Sequence, residues 1–275
     1  MPRMPHTLAH PAAVLPLLPL LRNQLPLSAL VVGSVAPDLA YFLPLNVGRS
    51  ESHSSAGLLW FCLPVGALAY AAFHVWVAPL IADLSPRAWR ARLPQRWSSA
   101  LLPSVSSWRV LCALLLGALT HVSWDAFTHA GDPGVRAFPW LGEPLLRVGG
   151  FPLRPYKLLQ HGGSVVGALA IAFALRRGWR RGAREDHERE RHQLSEAGMP
   201  LLRPSSKLRA TLAALVFLPP LAIVLRALWQ ASFEQAGFVR GLDHVFTVAS
   251  FDGGTALLGM SLAVGASWRV LRSNR

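Results

Sequence analysis

Cysteine is nearly absent from this chain. Cys62 and Cys112 are the only two, and both lie inside apolar runs. That excludes a disulfide framework and a paired-cysteine metal motif. Charge is scarce too. A soluble domain carries about 25% charged residues, whereas this 275-residue chain carries 15%. The deficit is uneven: charge is missing from a few long stretches and gathered between them, as when apolar helices cross lipid and loops hold the charge. Acidic residues are few, 14 against 27 basic ones, for a net charge of +13. So basic a chain raises the question of nucleic acid. The arginines mostly flank apolar runs, however, which is a signal of membrane topology, and no nucleic-acid partner is expected. No signal peptide is evident, because a single arginine precedes a first apolar stretch that Pro16, Pro19 and Pro26 interrupt. No segment alternates over ten residues as a membrane barrel requires.

What is present is apolar sequence in helix-length blocks. A span needs about 20 such residues. Five stretches qualify or come close, at 57–81, 110–128, 162–175, 210–229 and 253–268. Pro64 interrupts the first, and Pro219-Pro220 the fourth. The expected architecture is all-α: one polytopic helical membrane domain over 1–275, with about five transmembrane helices plus a short N-terminal helical hairpin. Within it, 1–56 is apolar but dense in proline and reads as two short helices, about 11–22 and 27–35, packed on the bundle or re-entering the membrane. A single kinked span is the competing reading. The segment 176–209 holds ten basic and five acidic residues and reads as a solvated loop, helical at best; lipid-headgroup contact is the other option. With the segment after the first span placed inside, the inner segments hold 18 Lys or Arg and the outer ones 8. The positive-inside rule then puts the C-terminus in the cytoplasm and the N-terminal region outside.

The polar residues that interrupt this pattern gather at one face. His10, Asp38 and His53 lie in the N-terminal region, His121, Asp125 and His129 near the outer end of the second span, and His161 at the start of the third. On a helix, His121, Asp125 and His129 share a face at i, i+4 and i+8, and neighbours four apart can chelate one ion. The outer two are about 12 Å apart along the axis, too far to share an ion. Imidazole with carboxylate suits zinc, manganese or iron. Acidic and imidazole groups in an apolar span are costly and face the interior. Spacing alone leaves open whether they hold a metal or form a hydrogen-bonded network that fastens helices. His74 has no acidic neighbour and reads as a satisfied core histidine.

The segments MPHTLAHPAAVLPL, GSVAPDLAYF, SHSSAGLL, LTHVSWDAFTH and YKLLQHGGS together resemble a family of bacterial membrane proteins, domain of unknown function 4184, over nearly the whole chain. That family in turn is similar to inner-membrane proteins described as metal-dependent hydrolases. Their shared pattern is an early histidine, a Pro-Asp pair, a histidine beside serine and a helix with HxxxD, found here as His10, Pro37-Asp38, His53-Ser54 and His121 with Asp125. His6 departs from it, standing where the family usually shows an aromatic residue.

The resemblance implies a multi-pass protein of the bacterial inner membrane with a divalent metal, zinc foremost and manganese or iron as alternatives, held by His10, Asp38, His53, His121 and Asp125. His129 and His161 would serve as further ligands or proton carriers. The implied activity is hydrolysis; from the position of the site at the membrane surface, a lipid or small molecule is the expected substrate and a lipid phosphoester the expected bond. The alternative is a non-enzymatic protein or transporter whose cluster is a structural or ion-handling network.

Overall fold

The computed structural model describes residues 7–21, 24–43, 45–85, 107–148, 151–193, 205–233 and 252–273, with the isolated positions 89, 93 and 248. His6 and His244 fall outside them.

Proline decides the N-terminal region. Thr7–Leu17 is a 3-10 segment with Pro11 and Pro16 inside it, and it runs into one α-turn at Leu18–Leu21. Each proline removes an N–H from the i→i−4 ladder, so the chain coils more tightly than an α-helix. Helix α1, Leu27–Val35, starts directly after Pro26. Pro37 then turns the chain through the 3-10 turn Ala36–Asp38 into a last helical turn, Leu39–Phe42. Two short apolar helices, Ala9–Leu21 and Leu27–Phe42, thus match the expected pair. One more turn of helix, Arg49–Ser52, leads into the bundle.

Four helices are long and apolar enough to cross a membrane: α2 (Ser55–Leu84), α3 (Trp108–Thr128), and the apolar parts Pro155–Gly178 of α4 and Ser206–Trp229 of α5. In α2, wider π-helical turns at Leu58–Cys62 and Phe73–Val77 lie beside Pro64 and Pro79 and absorb their missing donors. Helix α4 runs over Pro155–Gln193, carrying helix well into the charged segment expected to be a solvated loop, helical at best. Helix α5 spans Ser206–Phe233 with both prolines inside. The fifth expected span is a helix too, α6 over Gly254–Ser273. The described strands are β1 (Leu146–Val148) and β2 (Phe151–Leu153), an antiparallel hairpin between α3 and α4 that the sequence pattern did not indicate.

Apolar side chains face outward along the spans. Val166, Leu169 and Phe217 are each more than 60% exposed. Helices that are apolar yet mostly unburied belong in lipid. Inside, α1 lies against α3 at backbone distance. A Cβ on Gly33 would overlap the Leu114 carbonyl, and one on Gly117 would overlap the Leu30 carbonyl. Small residues of this kind let membrane helices approach closely, and the contact is sealed by buried Val14, Leu30, Tyr70, Val110 and Leu114. His74 is buried here and pairs with the Ser28 hydroxyl at 3.1 Å, as a core histidine should. A second core joins α2, α5 and α6 through Leu80, Val216, Val264 and Trp268. There the Trp268 indole N–H donates to Asp83 at 2.9 Å.

Candidate metal centre

The close approach of α1 to α3 sets the first ligand. His121 is fully buried on α3, and its Nδ1–H donates to the Ser34 carbonyl at 2.7 Å. Ser34 sits in the last turn of α1, where carbonyls lose their intrahelical partners. That bond fixes the tautomer and leaves the Nε2 lone pair free. His53 is held likewise. The Ser52 hydroxyl donates to the Arg49 carbonyl at 3.4 Å, so its oxygen accepts the His53 Nδ1–H at 2.9 Å. Both Nε2 lone pairs therefore point inward, and the two atoms are 3.3 Å apart.

Two buried carboxylates meet them. Asp38 Oδ1, delivered by the turn that Pro37 creates, is 3.5 Å from both His53 Nε2 and His121 Nε2. Asp125 Oδ2, one helical turn along α3 from His121, lies 3.3 Å from His53 Nε2 and 3.5 Å from His121 Nε2. Four electron-rich atoms converging in a buried space repel one another unless protons or a metal cation sit among them. Their spacing suits one. A tetrahedron with ligands about 2.0–2.1 Å from zinc has edges of about 3.3–3.4 Å, and the triad His53 Nε2, His121 Nε2 and Asp125 Oδ2, with edges of 3.3, 3.3 and 3.5 Å, matches one face of it; Asp38 Oδ1, 3.5 Å from both imidazoles, stands beside that triad. The acceptors behind the two imidazoles, the Ser34 carbonyl and the Ser52 hydroxyl oxygen, are the usual companions of metal-binding histidine. The residues present thus fit a divalent ion.

His10 stands beside this set. Its ring stacks on His121 with centroids 3.7 Å apart, and its Nε2 is 3.6 Å from Asp125 Oδ1, an oxygen with no hydrogen-bond partner. His10, Asp38 and His121 also form a group whose ligand atoms lie within 4.8 Å of one another. Burial, with the His121 ring beside it, pushes His10 down to about 3, so its imidazole is neutral at pH 7. Burial alone would raise the Asp38 carboxyl, but without a metal a protonated His121 and a hydrogen bond from His53 hold it below the usual carboxylate range.

His129 is not on the helix as the i+8 spacing implied. Helix α3 ends at Thr128, and His129 is its extended cap residue. The ring folds back so that Nδ1 reaches the Asp125 carbonyl at 3.2 Å and Asp125 Oδ2 at 3.6 Å, while Nε2 faces the Gln160 amide nitrogen at 2.9 Å. Burial lowers its pKa. His161 is half-buried on α4; it neither joins a metal-capable group nor lines the adjoining cavity among the described residues. Its neighbour Gln160 does line it.

The sequence pattern also passed over Arg49. Its guanidinium makes a two-pronged pair with Asp132, at 3.0 and 2.7 Å, and reaches Asp125 Oδ2 at 3.2 Å. The signal was available: an arginine four residues before His53, in a region otherwise nearly free of charge. Burial opposes the Arg49 charge, but the Asp132 hydrogen bonds and the Asp125 charge raise its pKa further. Arg49 therefore clamps the Asp125 carboxylate from the side away from His10.

A cavity of about 230 Å³ adjoins the cluster, between the Thr7–Leu17 segment, α3 and α4. His10, Asp38, Asp125, His129 and Gln160 line its polar part. Ala13, Val166, Gly167 and Ala170 belong to its apolar part.

No curated protein and no solved structure matches the chain. Residues 4–262 match the model of the family described as Domain of unknown function (DUF4184), and the chain belongs to that family.

Proposed function

We infer that the protein is a membrane-embedded metal-dependent hydrolase acting at the membrane surface, with a phosphoester as the bond cleaved. The observation that carries the reading is the spacing of His53 Nε2, His121 Nε2 and Asp125 Oδ2 at the edge length of a zinc tetrahedron, with both imidazoles turned by the oxygens that accept their Nδ1–H groups. When bound, a divalent ion such as zinc supplies a Lewis acid and lowers the pKa of a coordinated water to about 7. His53, His121 and Asp125 would hold such an ion, and three protein ligands would leave a position for the water. The cavity side of the cluster, where Asp38, Asp125 and His10 are all lining residues, is the place for it.

The chain's own residues divide the remaining work. Arg49 and Ser34 hold Asp125 and His121 in place. Asp125 Oδ1, unpartnered and facing neutral His10, is the acceptor for the proton that leaves the attacking water. The water oxygen bonds to phosphorus, the ester P–O bond breaks, and the departing oxygen takes a proton passed along the cavity wall by His129. The arginine distribution supports a site on the outer face, with the C-terminus inside.

The test is turnover of a soluble phosphodiester by protein purified without chelators. Activity should vanish on chelation, return with zinc or manganese, and be absent from Asp38→Asn. Activity indifferent to chelator would refute it. A second reading has one observation in its favour: the same polar groups tie the Thr7–Leu17 segment, the Ala36–Asp38 turn, the Arg49–Ser52 turn and α3 together. A purely structural network would lose stability in the same variants and have no metal to release.

A further inference from the structure

The cavity beside the metal centre has the shape of a site for part of a lipid. Its volume of about 230 Å³ is below the 300–1,000 Å³ typical of a pocket that encloses a whole small ligand. It therefore holds one segment of a molecule whose remainder lies elsewhere. On α4 its wall runs from Gln160 through Gly163 and Gly167 to Ala170, about 15 Å along the axis at 1.5 Å per residue. That is half the thickness of a bilayer's hydrocarbon core. The wall belongs to a span that is 11% buried, and Val166 on it is 66% exposed, so the apolar end looks into lipid. Glycine keeps the wall thin: a Cβ on Gly163 would come within 2.6 Å of the Trp124 ring, and one on Gly167 within 3.1 Å of the Ala9 carbonyl.

The polar end carries a second, independent sign of a ligand. Gln160 is 6% exposed, and its Oε1 has no hydrogen-bond partner although its amide nitrogen is paired with His129. A buried acceptor left unmade costs free energy, and a donor on a bound molecule would relieve it. We propose that this cavity admits, from the bilayer at its Val166–Ala170 end, a single-chain phosphate-ester lipid with a free hydroxyl: the phosphate end meets the metal centre, the hydroxyl donates to Gln160 Oε1, and the first part of the chain lies along Val166 and Ala170. The assignment of the phosphate end rests on the hydrolase reading above; the chain and hydroxyl contacts rest on the cavity itself.

Binding is read without turnover, so the two readings fail separately. A lysophosphatidic acid carrying a photoreactive diazirine in its chain is incubated with the full-length protein in detergent, irradiated, and the adducts mapped by peptide mass spectrometry. Adducts should fall within 9–13 and 163–170, drop at least ten-fold in Ala170→Trp, and drop two-fold or more in Gln160→Leu. Metal content should stay unchanged in both variants. Competition by unlabelled lysophosphatidic acid tests the same site on the unaltered protein, should a variant not fold. Labelling spread over the exposed faces of α4 and α5, indifferent to competitor or to Ala170→Trp, overturns the proposal, as does equal labelling by a two-chain phosphatidic acid. A protein that is labelled as expected yet hydrolyses nothing keeps the cavity assignment and sinks the hydrolase reading.

Discussion

Gly117→Ala is a small change with a large expected effect. In an exposed stretch of helix it would stabilise by about 1 kcal/mol, the propensity difference between the two residues. At Gly117 the new methyl would overlap the Leu30 carbonyl and lie 2.7 Å from the Ser34 amide nitrogen and 3.0 Å from the Gly33 carbonyl carbon. All three are backbone atoms of α1, so no side chain can swing aside; α1 itself must shift. Overpacking of this kind costs about 1–3 kcal/mol, leaving a net loss of up to about 2 kcal/mol. The shift also pulls the Ser34 carbonyl away from His121 Nδ1, now 2.7 Å from it. Loss of a hydrogen bond that orients a metal-binding histidine typically weakens metal binding about 10–100-fold. Gly259→Ala on α6 is the control, because nothing lies within 4 Å of the added Cβ. Thermal unfolding in detergent and competition against a metal chelator read the two effects. Equal stability and equal metal affinity in the two variants would refute the idea that glycine contact between α1 and α3 builds the site.

Other perturbations separate the parts of the account. Arg49→Lys keeps the charge but cannot reproduce the fork on Asp132; it should cost about 1.5–3 kcal/mol, the worth of hydrogen bonds to charged groups, and unchanged unfolding would count against the clamp. Trp268→Phe removes the donor to Asp83 at 2.9 Å and should lower the unfolding temperature by an amount matching about 1–3 kcal/mol, with metal content untouched. In metal-free protein, His10 is held at about 3 and His129 is lowered as well. A histidine whose folded pKa is depressed binds its proton more readily when unfolded, so the contribution of these two groups is fully present above about pH 6.5 and is lost as pH falls toward 3; a flat melting temperature between pH 7 and pH 4 would contradict this.

Much of the fold was legible because apolar length and proline positions dictate it. Long stretches without charge became helices, and Pro11, Pro16, Pro26 and Pro37 broke the N-terminal region where the chain could not supply N–H groups. The end of α3 was not legible, since nothing in the local pattern says that His129 leaves the helix to fold back on Asp125. Helix in the charged segment up to Gln193 was likewise underestimated, because charge reads as solvation whether or not the backbone coils. At the site, His10, Asp38, His53, His121 and Asp125 were named from residue type and resemblance, and the fold brings all five within contact of one another's group. Arg49, Ser34 and Gln160 were missed for one reason: each acts through a long-range contact that spacing along the chain cannot express.

The most direct test of the central claim is elemental analysis of detergent-purified protein, wild type beside Asp125→Ala. The account predicts close to one zinc, manganese or iron per chain in the wild type, and its loss in the variant while the protein remains inserted and helical. No metal in the wild type, after purification without chelators and after attempted reconstitution with each ion, would contradict it and leave the cluster a network that fastens helices.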